Sequence, residues 1–331
     1  MKEAKYYKKL DDSLVQCQLC PQMCEIANGK RGMCLGRKNE NGILYAENYG
    51  QTVSLSMDPI EKKPLYHFYP GKQILSVGPN GCNLTCDFCQ NYTISQERAG
   101  TSTITPENLV TLCQKYDSIG VAFTYTEPLI WFEFILDAAK TLNENDLQVV
   151  LVTNGFINPR PLKKLLPFIH AMNIDLKSMK NEFYKKYCSG LLEPVKQTIT
   201  TAAAATHIEI TNLIITDCND SREEIMELVE FVAQIDDKIP VHFSRYFPVY
   251  KMKKAPTKPA TLKMAYDIAK SKLENVYVGN IQMSNTHHTL CPNCNEILIK
   301  RTGYHTVTEG IDENNACRKC GHRIRGVHLF E

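Results

Sequence analysis

Apolar positions along this chain follow two different rhythms. Between residues 71 and 287, short runs rich in β-branched and aromatic residues alternate with longer amphipathic stretches: ILSVG at 74–78, VAFTY at 121–125, VVLVT at 149–153, MNIDLK at 172–177, IEITNLII at 208–215 and VHFSRY at 241–246. Runs this short and this apolar predict parallel strands buried on both faces. Helix-start signals lie between them. Thr105-Pro106 and Asn158-Pro159 each place a capping side chain before a proline, and Ser221 to Glu224 reads as a capping box. Six βα units result, two short of a closed eight-fold barrel. The pattern therefore predicts an α/β fold, an open, partial (β/α)6 barrel of TIM type.

Ahead of residue 71 the rhythm changes. ILYAENYGQTVSLSM alternates, and NENG at Asn39 to Gly42 is a turn signal, so residues 1–70 predict a small β-rich lobe. The stretch DPIEKKPLYHFYPG carries three prolines and predicts an irregular connector over the barrel mouth. Residues 288–331 form a compact tail around four cysteines. The expected domains are 1–70, 71–287 and 288–331.

Composition narrows the partners. Thirty-eight Lys plus Arg against thirty-six Asp plus Glu leaves a net charge of +2, too weak a field to indicate nucleic acid or an anionic membrane. MKEAKYYKKLDDSLVQ has no apolar signal core, and no stretch approaches the roughly 18 apolar residues of a membrane span. A soluble, cytoplasmic protein without a membrane partner is expected.

Cysteine changes the picture most. The chain has fourteen, and eleven stand in close-spaced groups, which in a reducing compartment read as metal sites rather than disulfides. Cys82, Cys86 and Cys89, in GCNLTCDFCQN, are spaced C-x3-C-x2-C directly after the first barrel strand, at the end of the barrel where active sites collect. Three thiolates can hold three corners of a 4Fe-4S cluster and leave the fourth iron open. A structural zinc or a ferredoxin-like cluster with a distant fourth cysteine is the plainer alternative, though structural zinc sites close with four ligands.

Cys291, Cys294, Cys317 and Cys320 form two C-x2-C halves, the pattern of a zinc ribbon; a rubredoxin-like iron is the alternative. Cys17, Cys20, Cys24 and Cys34 permit either zinc or a second iron-sulfur cluster, and the Gly-rich GKRGMC favours a zinc knuckle. Cys113 reads as core, Cys218 as a loop residue, and Cys188 as a small buried residue that can alternatively face the mouth. The basic YKMKK at 250–254 reads as a solvated loop or a grip for an acidic partner.

The aromatic before the last cysteine of the three-cysteine loop completes a pattern similar to the radical S-adenosylmethionine (radical SAM) superfamily. CQLCPQMCEI, GKRGMC, MDPIEKKPLYHFYPG, YTEP, VTNG, DLK, SRYFPVYKM, NVYVGN and CPNC extend that resemblance to the radical SAM component of the AmmeMemoRadiSam system, a relative of the pyruvate formate-lyase-activating enzymes. The resemblance implies a 4Fe-4S cluster on Cys82, Cys86 and Cys89, with SAM chelating the open iron through its amino and carboxylate groups. One electron then splits SAM into methionine and a 5'-deoxyadenosyl radical that takes hydrogen from a substrate.

The same resemblance implies Phe88 near the adenine, Glu127 at the SAM amino group, Thr153 and Asn154 at the ribose, and Asp175 with Lys177 at the SAM carboxylate. Glu127 and Asp175 as helix caps, and Lys177 as a surface charge, are the plainer readings. Tyr125 and Thr126 stand where activating enzymes carry glycines, and Tyr246 and Phe247 where one can present a histidine. The implied partners are a reductant such as flavodoxin or ferredoxin and a protein substrate, whose glycine Cα is one hydrogen source. Modification of a small molecule or RNA is a competing function. A non-catalytic electron-transfer scaffold is another, against which Glu127, Asp175 and Lys177 argue, since an electron carrier has no use for them.

Overall fold

Each short apolar run becomes a strand and each amphipathic stretch a helix laid over it. In the computed structural model, which describes residues 1–11 and 13–324, an eight-stranded sheet forms the frame. Its strands are β1 (Ser54–Pro59), β2 (Gln73–Gly78), β3 (Gly120–Phe123), β4 (Gln148–Thr153), β5 (Ala171–Asp175), β6 (His207–Ile214), β7 (Val241–Arg245) and β8 (Val276–Gly279). They pair in the order 8-7-6-5-4-3-2-1. Strands β2 to β8 are parallel, and β1 is an antiparallel edge on β2. Strands β1 and β8 do not pair, so the barrel is open. The six expected strands are β2 to β7; β8, from NVYVGN, adds a seventh parallel strand.

The longer helices are α1 (Pro106–Lys115), α2 (Phe132–Asn143), α3 (Pro159–Leu165), α4 (Leu192–Ala203), α5 (Arg222–Ile235) and α6 (Pro259–Lys270). Thr105 and Asn108 cap α1 reciprocally, and the Ser221 hydroxyl accepts from the Glu224 N–H at 3.2 Å to start α5. Asn158 behaves differently: its amide donates to the Gln18 carbonyl at 2.8 Å and ties α3 to the N-terminal lobe.

Alternation along the strands sorts the core. Leu75, Val77, Val121, Phe123, Val149 and Leu151 pack outward with Leu109, Phe132 and Ile135 of the helices. Ile74, Ala122, Val150 and Ala171 face inward and pack with Ile60, Leu65 and Phe68 of the proline-rich connector. Each such side chain, fully buried, contributes about 1.5–3 kcal/mol if Val-sized or larger.

That packing corrects one expectation. The connector does not cross the mouth, because its residues meet the inward positions near the starts of the strands. The His67 N–H donates to Glu209 Oε1 at 2.7 Å, Asn173 Nδ2 donates to the Pro64 carbonyl at 2.8 Å, and the Tyr66 ring lies 4.7 Å from those of His242 and Tyr277. Its apolar side chains are what close the lower end, opposite the cysteine loop. Glu209 is fully buried there, accepting also from His207 at 3.1 Å and His242 at 2.6 Å.

Residues ahead of β1 build small antiparallel sheets, including the hairpin Arg37–Glu40 with Ile43–Ala46, whose turn residues Asn41 and Gly42 have φ of 54° and 76°. Buried Arg37 pairs with buried Glu133 of α2 at 2.6 Å, docking this lobe on the barrel. At the other end of the chain, strands Thr289–Leu290, Ile297–Thr302 and His305–Val307 form a second small sheet. Its Arg301 stacks over Tyr66 at 4.2 Å and donates to the Tyr66 carbonyl, and Thr306 donates to Glu61 at 2.7 Å. Both lobes thus brace the frame. Residues 325–331 of the expected C-terminal lobe lie outside the described residues. Among the described residues, no helix is long and apolar enough to cross a membrane.

Candidate functional site

The loop after β2 carries Cys82, Cys86 and Cys89, all free thiols. It is pinned from two sides. The Thr85 and Asp87 N–H groups donate to the Cys188 and Tyr187 carbonyls, each at 2.9 Å, and the Lys251 and Met252 N–H groups donate to the Asp87 carbonyl at 3.0 and 2.9 Å. The basic YKMKK stretch is therefore anchored on the cysteine loop, with Tyr250 stacked on Tyr92 at 4.5 Å.

Polar hydrogens converge on the sulfurs. The Leu84 N–H donates to Cys82 Sγ at 3.4 Å and Asn154 Nδ2 lies 3.6 Å from it, while the Ser95 hydroxyl is 3.1 Å from Cys89 Sγ. Such donors stabilise thiolate, the form that binds metal. Burial raises the Cys82 and Cys89 thiols, whereas the Cys188 thiol and, against burial, the Lys177 ammonium lower Cys86. Three unpaired soft ligands with donors aimed at them fit an iron-sulfur cluster.

The expected SAM residues fall into two groups. Asp175 and Lys177, at the end of β5, pair at 2.8 Å. Burial works against charge on Lys177, but Asp175, Cys86 and Cys188 outweigh it and hold its proton firmly. The Lys177 N–H also donates to the Tyr184 hydroxyl at 3.0 Å. Lys177 is thus not a solvated surface charge. Phe88 is buried beside Phe183, ring centres 5.8 Å apart.

Glu127, Thr153 and Asn154 form the second group. Glu127 is fully buried and caps the short turn Pro128–Trp131. Its carboxyl accepts from the Thr153 hydroxyl at 2.6 Å, the Asn154 N–H at 2.8 Å and the Leu129 N–H at 3.0 Å. These neutral donors do not offset desolvation, so burial pushes Glu127 up to about 7. The Asn154 side chain continues the chain of contacts to Asn83 at 2.9 Å and so to the cysteine loop.

Four contributors are placed only by the fold. Cys188 is fully buried beside Cys86, 102 residues away along the chain, and only the fold reveals the pairing. Asn83 and Ser95 read as ordinary loop polar residues. Tyr125, where activating enzymes carry a glycine, keeps a left-handed backbone with φ of 72°. A bulky residue is disfavoured there. Its hydroxyl donates to Asp58 at 2.7 Å, and Lys63, itself 2.8 Å from Asp58, lies over its ring. The MDPIEKK motif thus anchors the strained residue beside the site. Where a histidine was the alternative, Tyr246 is buried and donates to the Met252 carbonyl at 2.9 Å, and Phe247 is exposed under Arg245.

The C-terminal four cysteines are arranged more tightly. Sulfurs of Cys291 and Cys320 are 3.6 Å apart, those of Cys294 and Cys317 3.7 Å, and all four lie within 4.8 Å of one another, a group that can hold a metal ion. Cys113 is core, donating to the Gly120 carbonyl at 3.3 Å, and Cys218 is a half-buried loop residue.

The pattern of the Radical SAM superfamily matches residues 77–232. An uncharacterized protein of Methanocaldococcus jannaschii is 42% identical over 98% of this chain and 99% of its own length. The 4-hydroxyphenylacetate decarboxylase activating enzyme of Clostridium scatologenes is 21% identical over 63% of this chain and 62% of its own. Among solved structures, Streptococcus suis SuiB bound to S-adenosylmethionine superposes with a TM-score of 0.50 at 16% identity, covering 65% of this chain and 50% of SuiB. With the matched region opening on the three-cysteine loop and running through the strand ends that surround it, the chain belongs to the radical SAM superfamily.

Proposed function

We propose that this chain is a radical SAM enzyme that abstracts hydrogen from carbon, with a protein partner as its substrate. The observation that carries the reading is the meeting of three unpaired thiols with the held ammonium of Lys177 at one end of a parallel barrel. Cys82, Cys86 and Cys89 would hold a 4Fe-4S cluster and leave its fourth iron for SAM. When bound, the cluster supplies one electron to the SAM sulfonium, which yields methionine and the 5'-deoxyadenosyl radical.

The chain's own residues do the rest. Lys177 pairs with the SAM carboxylate by a charge-assisted hydrogen bond, and Asp175 fixes the direction of its ammonium. Phe88 offers an apolar face to the adenine. Glu127 and Thr153, whose polar atoms are satisfied by each other and by backbone, act through Asn154 as positioning residues for the ribose end. The Leu84, Ser95 and Asn154 donors orient the cluster thiolates, and the 250–254 segment packed on Asp87 keeps water from one side of the loop. Cys291, Cys294, Cys317 and Cys320 hold a structural zinc, since thiolates about 2.3 Å from one ion stand about 3.8 Å apart, close to the spacing here. The reductant is a low-potential carrier of the flavodoxin or ferredoxin class. The protein substrate rests on likeness to activating enzymes.

The test is formation of 5'-deoxyadenosine by anaerobically reconstituted protein with SAM and dithionite. Wild type is expected to form it and Cys86→Ala to fall by more than ~10³-fold, about 4 kcal/mol in barrier. Equal product from both proteins overturns the reading.

A further inference from the structure

The three cysteine groups differ in spacing. Among the described residues, only the C-terminal four bring their sulfurs all within 4.8 Å of one another. Cys82, Cys86 and Cys89 do not close to that distance, and neither do any three of Cys17, Cys20, Cys24 and Cys34. Yet the backbone folds the N-terminal group together: the Cys17 N–H donates to the Cys24 carbonyl at 2.9 Å, and a Cβ on Gly32 would stand 3.9 Å from the Cys24 Cβ and 3.8 Å from that of Arg37. Cys17, Cys20 and Cys34 are buried, and none of the four forms a disulfide.

A single ion draws four thiolates into a tight tetrahedron. A four-iron core puts a separate iron behind each thiolate and holds the sulfurs farther apart. Like the loop after β2, the N-terminal group is not drawn into the tight cluster of the C-terminal tetrad.

Two further features point the same way. Arg37 is 1% exposed and its Nε has no hydrogen-bond partner. A buried guanidinium N–H of this kind suits an anionic cluster whose sulfurs accept hydrogen bonds. The group also touches the catalytic loop. Gly81, with φ of 104°, sits so close to the Cys34 carbonyl that a Cβ would stand 2.1 Å from its oxygen, and Gln22 donates to the Asn83 carbonyl at 2.9 Å. No other residue type fits at Gly81, directly before Cys82.

We infer that Cys17, Cys20, Cys24 and Cys34 hold a second cluster of the four-iron type, in place of the zinc that GKRGMC suggests. The site lies against the loop of the first cluster, with Arg37 offsetting its charge.

The test counts metals in full-length protein reconstituted anaerobically with iron, sulfide and zinc. Wild type is expected to hold about eight irons, and the triple variant Cys82→Ala, Cys86→Ala, Cys89→Ala about four, with matching sulfide and a reduced-cluster electron paramagnetic resonance signal. Adding Cys20→Ser and Cys24→Ser should remove that iron while one zinc stays on the C-terminal tetrad. A triple variant free of iron, with one zinc or two, overturns the inference, as does one with about two irons. If the triple variant does not fold, wild type and Cys86→Ala decide: about four irons that vanish on Cys86→Ala count against a second cluster. Four irons unchanged between wild type and triple variant would instead sink the catalytic assignment and leave this one standing.

Discussion

Two glutamates, Glu127 above and Glu209 below, are fully buried at opposite ends of one barrel, and their carboxyls are displaced in opposite directions. At the upper end Glu127 accepts from a hydroxyl and two backbone N–H groups, all neutral, and burial pushes it up to about 7. At the lower end burial alone would raise Glu209 too, but hydrogen bonds and electrostatic interaction with His207 and His242 hold it well below the usual carboxylate range. The number of hydrogen bonds is the same, so number does not decide. The charge that the partners can carry does. The lower end spends its polar groups on one another and is locked. The upper end keeps a carboxyl near its midpoint at neutral pH, beside a set of thiols that a cofactor must complete.

The contrast can be broken most forcefully from below. Glu209→Gln leaves His207, His242 and the His67 N–H around a neutral amide, and removing one partner of a buried charged network costs about 3–5 kcal/mol. Chemical denaturation should read that loss as a lower midpoint with an unchanged slope. A change under 1 kcal/mol would mean the lower network is not what locks the connector.

pH sharpens the comparison next. The folded Glu127 pKa of about 7 lies above its ordinary 4.5, so the native state binds the extra proton. Its stability contribution is full below about pH 4.5 and is lost as pH rises through about 7, on the order of a few kcal/mol across that window. Glu209 has the opposite sign: its contribution is present above 4.5 and lost as pH falls below it. Thermal melts of the apo-protein should therefore show Glu127→Gln flattening the near-neutral limb and Glu209→Gln the acid limb. A swap of the two effects, or one limb for both, would sink the comparison.

The smallest expected effect tests the upper end's readiness for a ligand. Lys177→Ala should weaken SAM binding roughly 10- to 150-fold, the 1.5–3 kcal/mol of a hydrogen bond to a charged group, with the cluster's absorption unchanged. Calorimetric titration under anaerobic conditions reads it. If the absorption disappears with the affinity, Lys177 holds the cysteine loop and not the ligand.

Much of the frame was legible because its signals are local. Thr105 before Pro106 and Ser221 ahead of Glu224 mark helix starts within a few residues, although the Glu224 carboxyl turns to Ser178 and Met179 and not back to Ser221, and the cysteine spacings announce themselves. Strand β8 was missed because VYVG is too short to separate from a loop by period alone. Strand β1 was absorbed into the alternating N-terminal stretch, since SLSMDP exposes Leu55 and ends in a proline. The connector was assigned to the wrong end because nothing in DPIEKKPLYHFYPG says which end of the strands it meets. That information lies in Glu209, 142 residues on from His67. At the site, Lys177 and the three cysteines followed from motif and order. The Cys188 contact, the Asn154 to Asn83 link and the strained Tyr125 held by Asp58 depend on side chains from separate strands, which no local pattern records.

Arg301 reaches back across 235 residues to grip the carbonyl of Tyr66. A ribosome therefore finishes every residue of the cysteine loop long before it makes the latch that closes the base. Chains truncated before that latch would leave Tyr66 and Tyr277 uncovered, and a protease or chaperone that samples exposed aromatic surface could sort finished molecules from unfinished ones by that patch alone.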